Sequence, residues 1–207
     1  MPNLHKLFFF VFFGLFSVLT AQSTTSITNG NWTDSDTWDN GVPGLSKDAI
    51  INHVVTIQAS EDVFVRDLTI NGTLNASATF ARIGVKGDWT NTGTYNTSTT
   101  SIVTFNSTTA DQTVKPGGDS FPDLVLKNTG FSINIYDNID IDGDLTLTTG
   151  TLDLNTRNQN VNVSGDVEIA LNAVWTSGSG TVTFDGGAQT FTDNNGSATN
   201  IGDIVVD

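Results

Sequence analysis

The strongest constraint on the fold of this chain is an internal duplication. "DLTINGTLN" at Asp67–Asn75 returns as "DLTLTTGTLDLN" at Asp144–Asn155, and "IGVKGDW" from Ile83 returns as "VNVSGDV" from Val161. "SIVTFNS" from Ser101, Gln112-Thr113 and "FPDLVLK" from Phe121 return as "GTVTFDG" from Gly180, Gln189-Thr190 and "IGDIVVD" from Ile201. The five blocks keep one order and a nearly constant spacing from Asp67 and Asp144 through to Phe121 and Ile201. Inside each copy runs a finer beat. Leu68, Trp89, Phe105, Val125, Leu145, Val167, Phe184 and Val205 hold corresponding centres. Five of the seven steps are nearly equal, and two are shorter, Trp89 to Phe105 and Val167 to Phe184. A period of about twenty residues is that of a solenoid rung, which cannot bury its apolar face alone and must stack on a neighbour.

The segments on this beat alternate apolar and polar residues with period two, as in "VVTIQ", "SIVTF", "SINIY" and "GTVTF". That is the pattern of half-buried strands, and Asn71-Gly72, Asp142-Gly143 and Asp185-Gly186 punctuate it with tight-turn pairs. No apolar spacing of three, four and seven is sustained long enough for a helix. The sequence therefore predicts an all-β chain, a right-handed parallel β-helix with rungs of about twenty residues stacked about 4.8 Å apart. A β-sandwich, which also uses short strands and frequent turns, is the alternative. The predicted division is a leader at 1–21, an N-terminal capping segment at 22–63, one solenoid repeat at 64–140 and a second, incomplete one at 141–207.

The leader is read from "MPNLHKLFFFVFFGLFSVLTAQS", where Lys6 precedes an apolar run of thirteen residues, Leu7 to Leu19. As a helix that run covers about 20 Å against a bilayer core of about 30 Å, so it predicts a secretory signal peptide, not a membrane span. No cysteine follows it, so neither disulfides nor a lipid-anchored cysteine are available. The whole chain carries a net charge of −14. Such a surface repels nucleic acid and anionic membranes and excludes both as partners.

Chemistry-bearing residues are sparse. His53, in "INHVVTI", is the one histidine beyond the leader and reads as a strand position. Without cysteine or a second histidine there is no thiolate nucleophile and no Cys/His metal cluster. Aspartates fill the turns, where their side chains bond nearby amides. The densest run, "DNIDIDGD" at Asp137–Asp144, resembles part of a calcium loop, which makes Asp140, Asp142 and Asp144 the candidate metal ligands and Ca2+ the one candidate cofactor. The predicted carbohydrate-stacking residues are Trp32, Trp38, Tyr95 and Trp175, with extracellular glycans as the partner. Trp89 aligns with Val167 in the second copy and is predicted to point inward. "GNWTDSDTWDNGVP", Gly30–Pro43, has no counterpart in either copy. It is predicted to cover the open end of the first rung, with ligand binding as its other reading.

"GNWTDSDTWDNGVPGLSKDAIINHVVTI", followed by "VRDLTINGTLN", resembles the opening of secreted Bacteroidota-type surface proteins and is similar to G8-type domains, all-β modules of extracellular proteins. "GDLTLTTGTLDLN" and "SGTVTFDGGAQTF" are like repeats of long surface adhesins in that group. The resemblance implies a secreted or cell-surface location, and type IX secretion as the route. The expectation is a non-catalytic extracellular solenoid, an adhesin stalk or binding module within a longer protein. The alternative is an accessory region of a secreted polysaccharide-degrading enzyme.

Overall fold

The computed structural model describes residues 22–207, and the predicted leader lies outside them. Each turn of the chain lays down up to three short strands, one on each of three faces. The first face stacks Gln22–Thr25, Lys47–Ile51, Leu68–Ile70, Trp89–Asn91, Gln112–Lys115, the later parts of Asp123–Ile135 and Leu145–Asp153, and Val174–Thr176. The second carries Gly30–Asn31, Val54–Thr56, Thr73–Ala76 and Thr94–Thr97, then Ile139–Ile141, Val161–Val163, Thr181–Phe184 and Asp203–Val206. Between these two runs, Phe121 alone bridges to Ile141. The third stacks Asp62–Val65, Arg82–Val85, Ile102–Phe105, the early parts of the two long strands, Val167–Ile169 and Phe191–Asp193.

All the strands named above pair in parallel, one isolated antiparallel bridge joins Ser26 to Trp38, and the chain forms a β-solenoid of about nine turns. Parallel pairing of the strands overturns the β-sandwich alternative, which requires antiparallel sheets. The first and third faces merge into one sheet because Asp123–Ile135 and Leu145–Asp153 bend round a corner without breaking. Gly130 and Gly150 make those bends at φ 81° and 86°, in the left-handed region open to glycine. At Gly150 a side chain would also run into the Asn128 carbonyl.

Alternation fills the interior with apolar columns. On the third face Val63, Ile83, Val103, Leu124, Leu145 and Val167 stand in register, all at most 3% exposed. Burying each such side chain contributes about 1.5–3 kcal/mol. Midway along the axis the faces meet in an aromatic plug. The Trp89 ring lies 5.0 Å from Tyr95 and 5.1 Å from Phe121, with Phe105 at 6.2 Å. Trp89 is fully buried, as its alignment with Val167 predicts.

The duplication maps onto this architecture in an unexpected way. Leu68 and Trp89 sit on the first face, Phe105, Val125, Leu145 and Val167 on the third, and Phe184 and Val205 on the second. One full turn is the step that brings Trp89 into register with Leu68, and Leu145 with Leu124. The two short steps, Trp89 to Phe105 and Val167 to Phe184, are two-thirds turns that stop one face early. The step from Asp67 to Asp144 is then three full turns and two-thirds of a fourth, so the second copy is set one face back from the first. "SIVTF" on the third face becomes "GTVTF" on the second, and Gln112 at the start of a first-face strand becomes Gln189 beside a third-face strand.

Local chemistry survives this rotation. Gln112 Nε2 donates to the carbonyls of Val85 and Gly87, and Gln189 Nε2 donates to those of Val163 and Gly165. Each also accepts a loop amide, from Ser107 and Gly186 respectively. The glutamines join a loop to the rung beneath it.

Candidate functional site

Aspartate is the commonest acid, and the fold gives many of its carboxylates one task. In the first copy the Asp88 amide donates to Asp67 Oδ1 at 2.9 Å, and the Thr113 amide to Asp88 Oδ1 at 2.7 Å. In the second, the Asp166 amide donates to Asp144 Oδ1 and the Thr190 amide to Asp166 Oδ1, both at 2.7 Å. Each carboxylate thus reaches one rung along the axis and takes a backbone N–H where a strand begins. The recurring Gly-Asp pairs follow from this geometry. A side chain at Gly87 or Gly165 would collide with the carboxylate of Asp67 or Asp144. Asp67 is held above the usual carboxylate range, chiefly by burial, with the Asp88 amide opposing that rise.

The predicted calcium ligands are drawn into three different roles. Asp144 belongs to the ladder just described and also donates its own amide to Asp123 Oδ1 at 3.0 Å. Asp142 accepts from Ser120 Oγ at 2.6 Å. Asp140, in the strand Ile139–Ile141, is half-buried and held above its ordinary pKa by burial, then by the nearby charges of Asp142 and Asp185. Among the described residues no three acidic, histidine or cysteine side chains converge to hold a metal ion. Of the expected ligands, Asp140 lies near enough to Asp142 to feel its charge, while the Asp144 carboxylate is engaged by the Asp166 amide.

The four aromatics predicted to be exposed are all inside. Trp32 is 1% exposed, Trp38 3%, Tyr95 5% and Trp175 5%. Tyr95 stands over Leu74 and Trp175 over Leu152, so both are members of inward columns. Trp32 and Trp38 pack edge to face at 5.4 Å, and Trp38 Nε1 donates to the Trp32 carbonyl at 2.8 Å. None offers a free ring face to a sugar. His53 is likewise corrected, from a strand position to a bend between strands, where Nδ1 lies 2.8 Å from the Ser26 carbonyl.

A cleft of about 760 Å³ lies near the end of the first face. One wall is Leu171–Ser177, containing the strand Val174–Thr176, and the other is the arch Asn195–Asn200. Asp193 pins the arch, accepting the amides of Asn195 at 3.0 Å and Thr199 at 2.9 Å. Asn195 ties its near end down, donating to the Ala173 carbonyl and accepting from the Asn172 amide. The Asn195 amide first, then the Thr199 side chain and amide, hold the Asp193 carboxyl below its ordinary pKa. No charged side chain lines the cleft, and the buried Nε1 of Trp175 in its wall has no hydrogen-bond partner. Sequence reasoning named Trp175 but missed the cleft. Its signal was present in "DNNGSATN", the one place in the second copy where a strand is due and apolar alternation fails.

Comparison with protein-family models, with characterised proteins and with solved structures finds no match.

Proposed function

We propose that this chain is a non-catalytic extracellular β-solenoid, a stalk or binding module of a secreted surface protein. The observation that carries this reading is the pair of aspartate ladders. Carboxylates that a glycan-cleaving enzyme would hold ready for proton transfer are here bonded to backbone amides of the next rung, in the same pattern in both copies. The apolar leader and the resemblance of Gly30–Ile57 and the later repeats to secreted surface proteins support the location. The interior position of Trp32, Trp38, Tyr95 and Trp175 removes their stacking faces, so a glycan partner is not carried into the reading.

Two measurements test it. Epitope-tagged whole chain, expressed in a Gram-negative host, is expected outside the cytoplasm and shortened by its leader. Purified residues 22–207 are expected to release no product from a panel of neutral and acidic polysaccharides. Retention in the cytoplasm at full length would refute the location. Turnover abolished by Asp140→Asn or Asp166→Asn would refute the non-catalytic reading.

A further inference from the structure

The turn that begins at Phe191 is incomplete in its interior. It lays Phe191–Asp193 on the third face and Asp203–Val206 on the second, yet places no strand between them on the first. Among the described residues Val174–Thr176 is therefore the final first-face strand, one short of the other two faces, and pairs with Thr151–Asp153 alone. The residues due to continue it form the arch, and the cleft is the space where that strand would lie.

The unpaired edge has a defined polarity. In a parallel ladder, alternate residues point both backbone groups to opposite sides. The Thr176 carbonyl accepts from the Leu154 amide on the rung beneath. The N–H and C=O of Trp175 consequently face the cleft, a donor and acceptor pair ready for a further strand. The arch does not supply it, for a reason of composition. Ile133, Leu152 and Trp175 form the inward column at this position, and "NNGSATN" offers only Ala198 to extend it. One methyl group buries too little to offset ordering the loop.

We infer that the cleft between Val174–Thr176 and Asn195–Asn200 binds an extended peptide segment of a partner protein by parallel strand addition. The segment would carry an apolar residue in the column that Trp175 continues. Main-chain bonds to Trp175 provide the affinity and the apolar residue the selectivity. A sugar fits this wall less well, because what the wall leaves unpaired is a backbone N–H and C=O spaced for a strand, and no charged side chain lines it. Exposed Leu171 and Val174 border the strand and extend the apolar contact. This inference names a partner class for the proposed binding module and rests on that reading. Its test reads peptide contact, whereas the module's location and lack of turnover are read separately.

The experiment is an amide NMR titration of isotope-labelled residues 22–207. The probe is a capped peptide with the sequence of Gly150–Asn155, GTLDLN; the control, GTKDLN, has lysine at its first leucine. Expected are shifts confined to 172–177 and 195–200, slowed hydrogen exchange at the Trp175 amide, and binding weaker by about tenfold or more for the lysine peptide. Ala198→Ile gives the arch an apolar residue of its own, so it is expected to protect the Trp175 amide without peptide and to abolish binding. The titration of the unchanged chain stands even if that variant fails to fold. No shifts with peptide at about 1 mM would overturn the inference. So would equal binding of both peptides, or a folded Ala198→Ile chain that binds as before. Shifts at the same residues with neutral oligosaccharides but not with peptide would make the cleft a sugar site. Protection of the Trp175 amide that grows with protein concentration alone would make the occupant a second copy.

Discussion

The first and last strands of the first face meet the same problem and end differently. Gln22–Thr25 has an outer edge, and the chain folds back over it. The Asp39 amide donates to the Thr25 carbonyl at 3.0 Å, Asp39 Oδ1 accepts the Thr25 amide at 2.8 Å, and Asn40 Nδ2 donates to the Ser23 carbonyl at 3.0 Å. Ile27 donates to the Thr37 carbonyl, and Trp38 is seated on Trp32 beneath. Val174–Thr176 is also followed by an asparagine-rich return, but that return arches away. The difference is the anchor. Asp and Asn side chains are present at both ends, and only the first return carries a buried aromatic of its own, Trp38, to hold the backbone against the edge. Polar capping groups close a strand edge when an apolar side chain fixes them there.

Removing the anchor is the most damaging way to break the contrast. Trp38→Ala is expected to cost about 3–5 kcal/mol in urea unfolding, the range for a fully buried aromatic. It should also raise hydrogen exchange along Gln22–Thr25 toward the rates at Trp175. The matched glutamines come next. Gln112→Leu removes three bonds at a fully buried site, but the Ser107 amide keeps Asn128 Oδ1 and the Val85 carbonyl keeps the Asn106 amide, so the expected loss is about 2 kcal/mol. Gln189→Leu removes the equivalent bonds where water has partial access and should cost less, about 1 kcal/mol. Equal losses would show that position along the solenoid does not matter. Asp39→Ala removes one carboxylate acceptor from the first edge and is expected to cost about 1 kcal/mol, with the tryptophan pair still buried.

The smallest effect is one of pH at the arch. The folded Asp193 carboxyl lies below the ordinary value of about 3.9, so its contribution is present above that value and is lost as pH falls through the lower folded pKa. The arch amides of Asn195 and Thr199 should keep their shifts down to about pH 4 and move only in stronger acid. Asp193→Asn should move them at neutral pH. If neither change touches the arch, something other than Asp193 holds it.

Much of the architecture was legible in the sequence because a solenoid repeats its constraint at every turn. Period-two alternation, Asn-Gly and Asp-Gly turns and the twenty-residue beat each point to stacked strands. The two short steps in that beat were visible too, but only the register of Leu68 with Trp89 and of Leu124 with Leu145 shows that they stop one face early. The aromatics misled because their sequence neighbours are polar. Tyr95 lies between Thr94 and Asn96, and nothing local reveals that Leu74 stands beneath it. Aspartates were read as turn residues, whereas their partners are a whole rung away, as Asp88 is from Asp67 and Asp166 from Asp144. Such a bond leaves no local trace beyond the glycine before each of Asp88, Asp144 and Asp166.

The one-face offset between the copies bears on how such a rod displays whatever it carries. If each copy bore the same loop at the same sequence position, successive loops would not form a row. They would climb like the treads of a spiral stair, each a third of a revolution from the last. Three further copies would add eleven turns, about 50 Å of rod, before a tread again faced the direction of the first. A protein lengthened in this way would look outward in every direction, so an approaching partner would meet a usable face from whichever side it came.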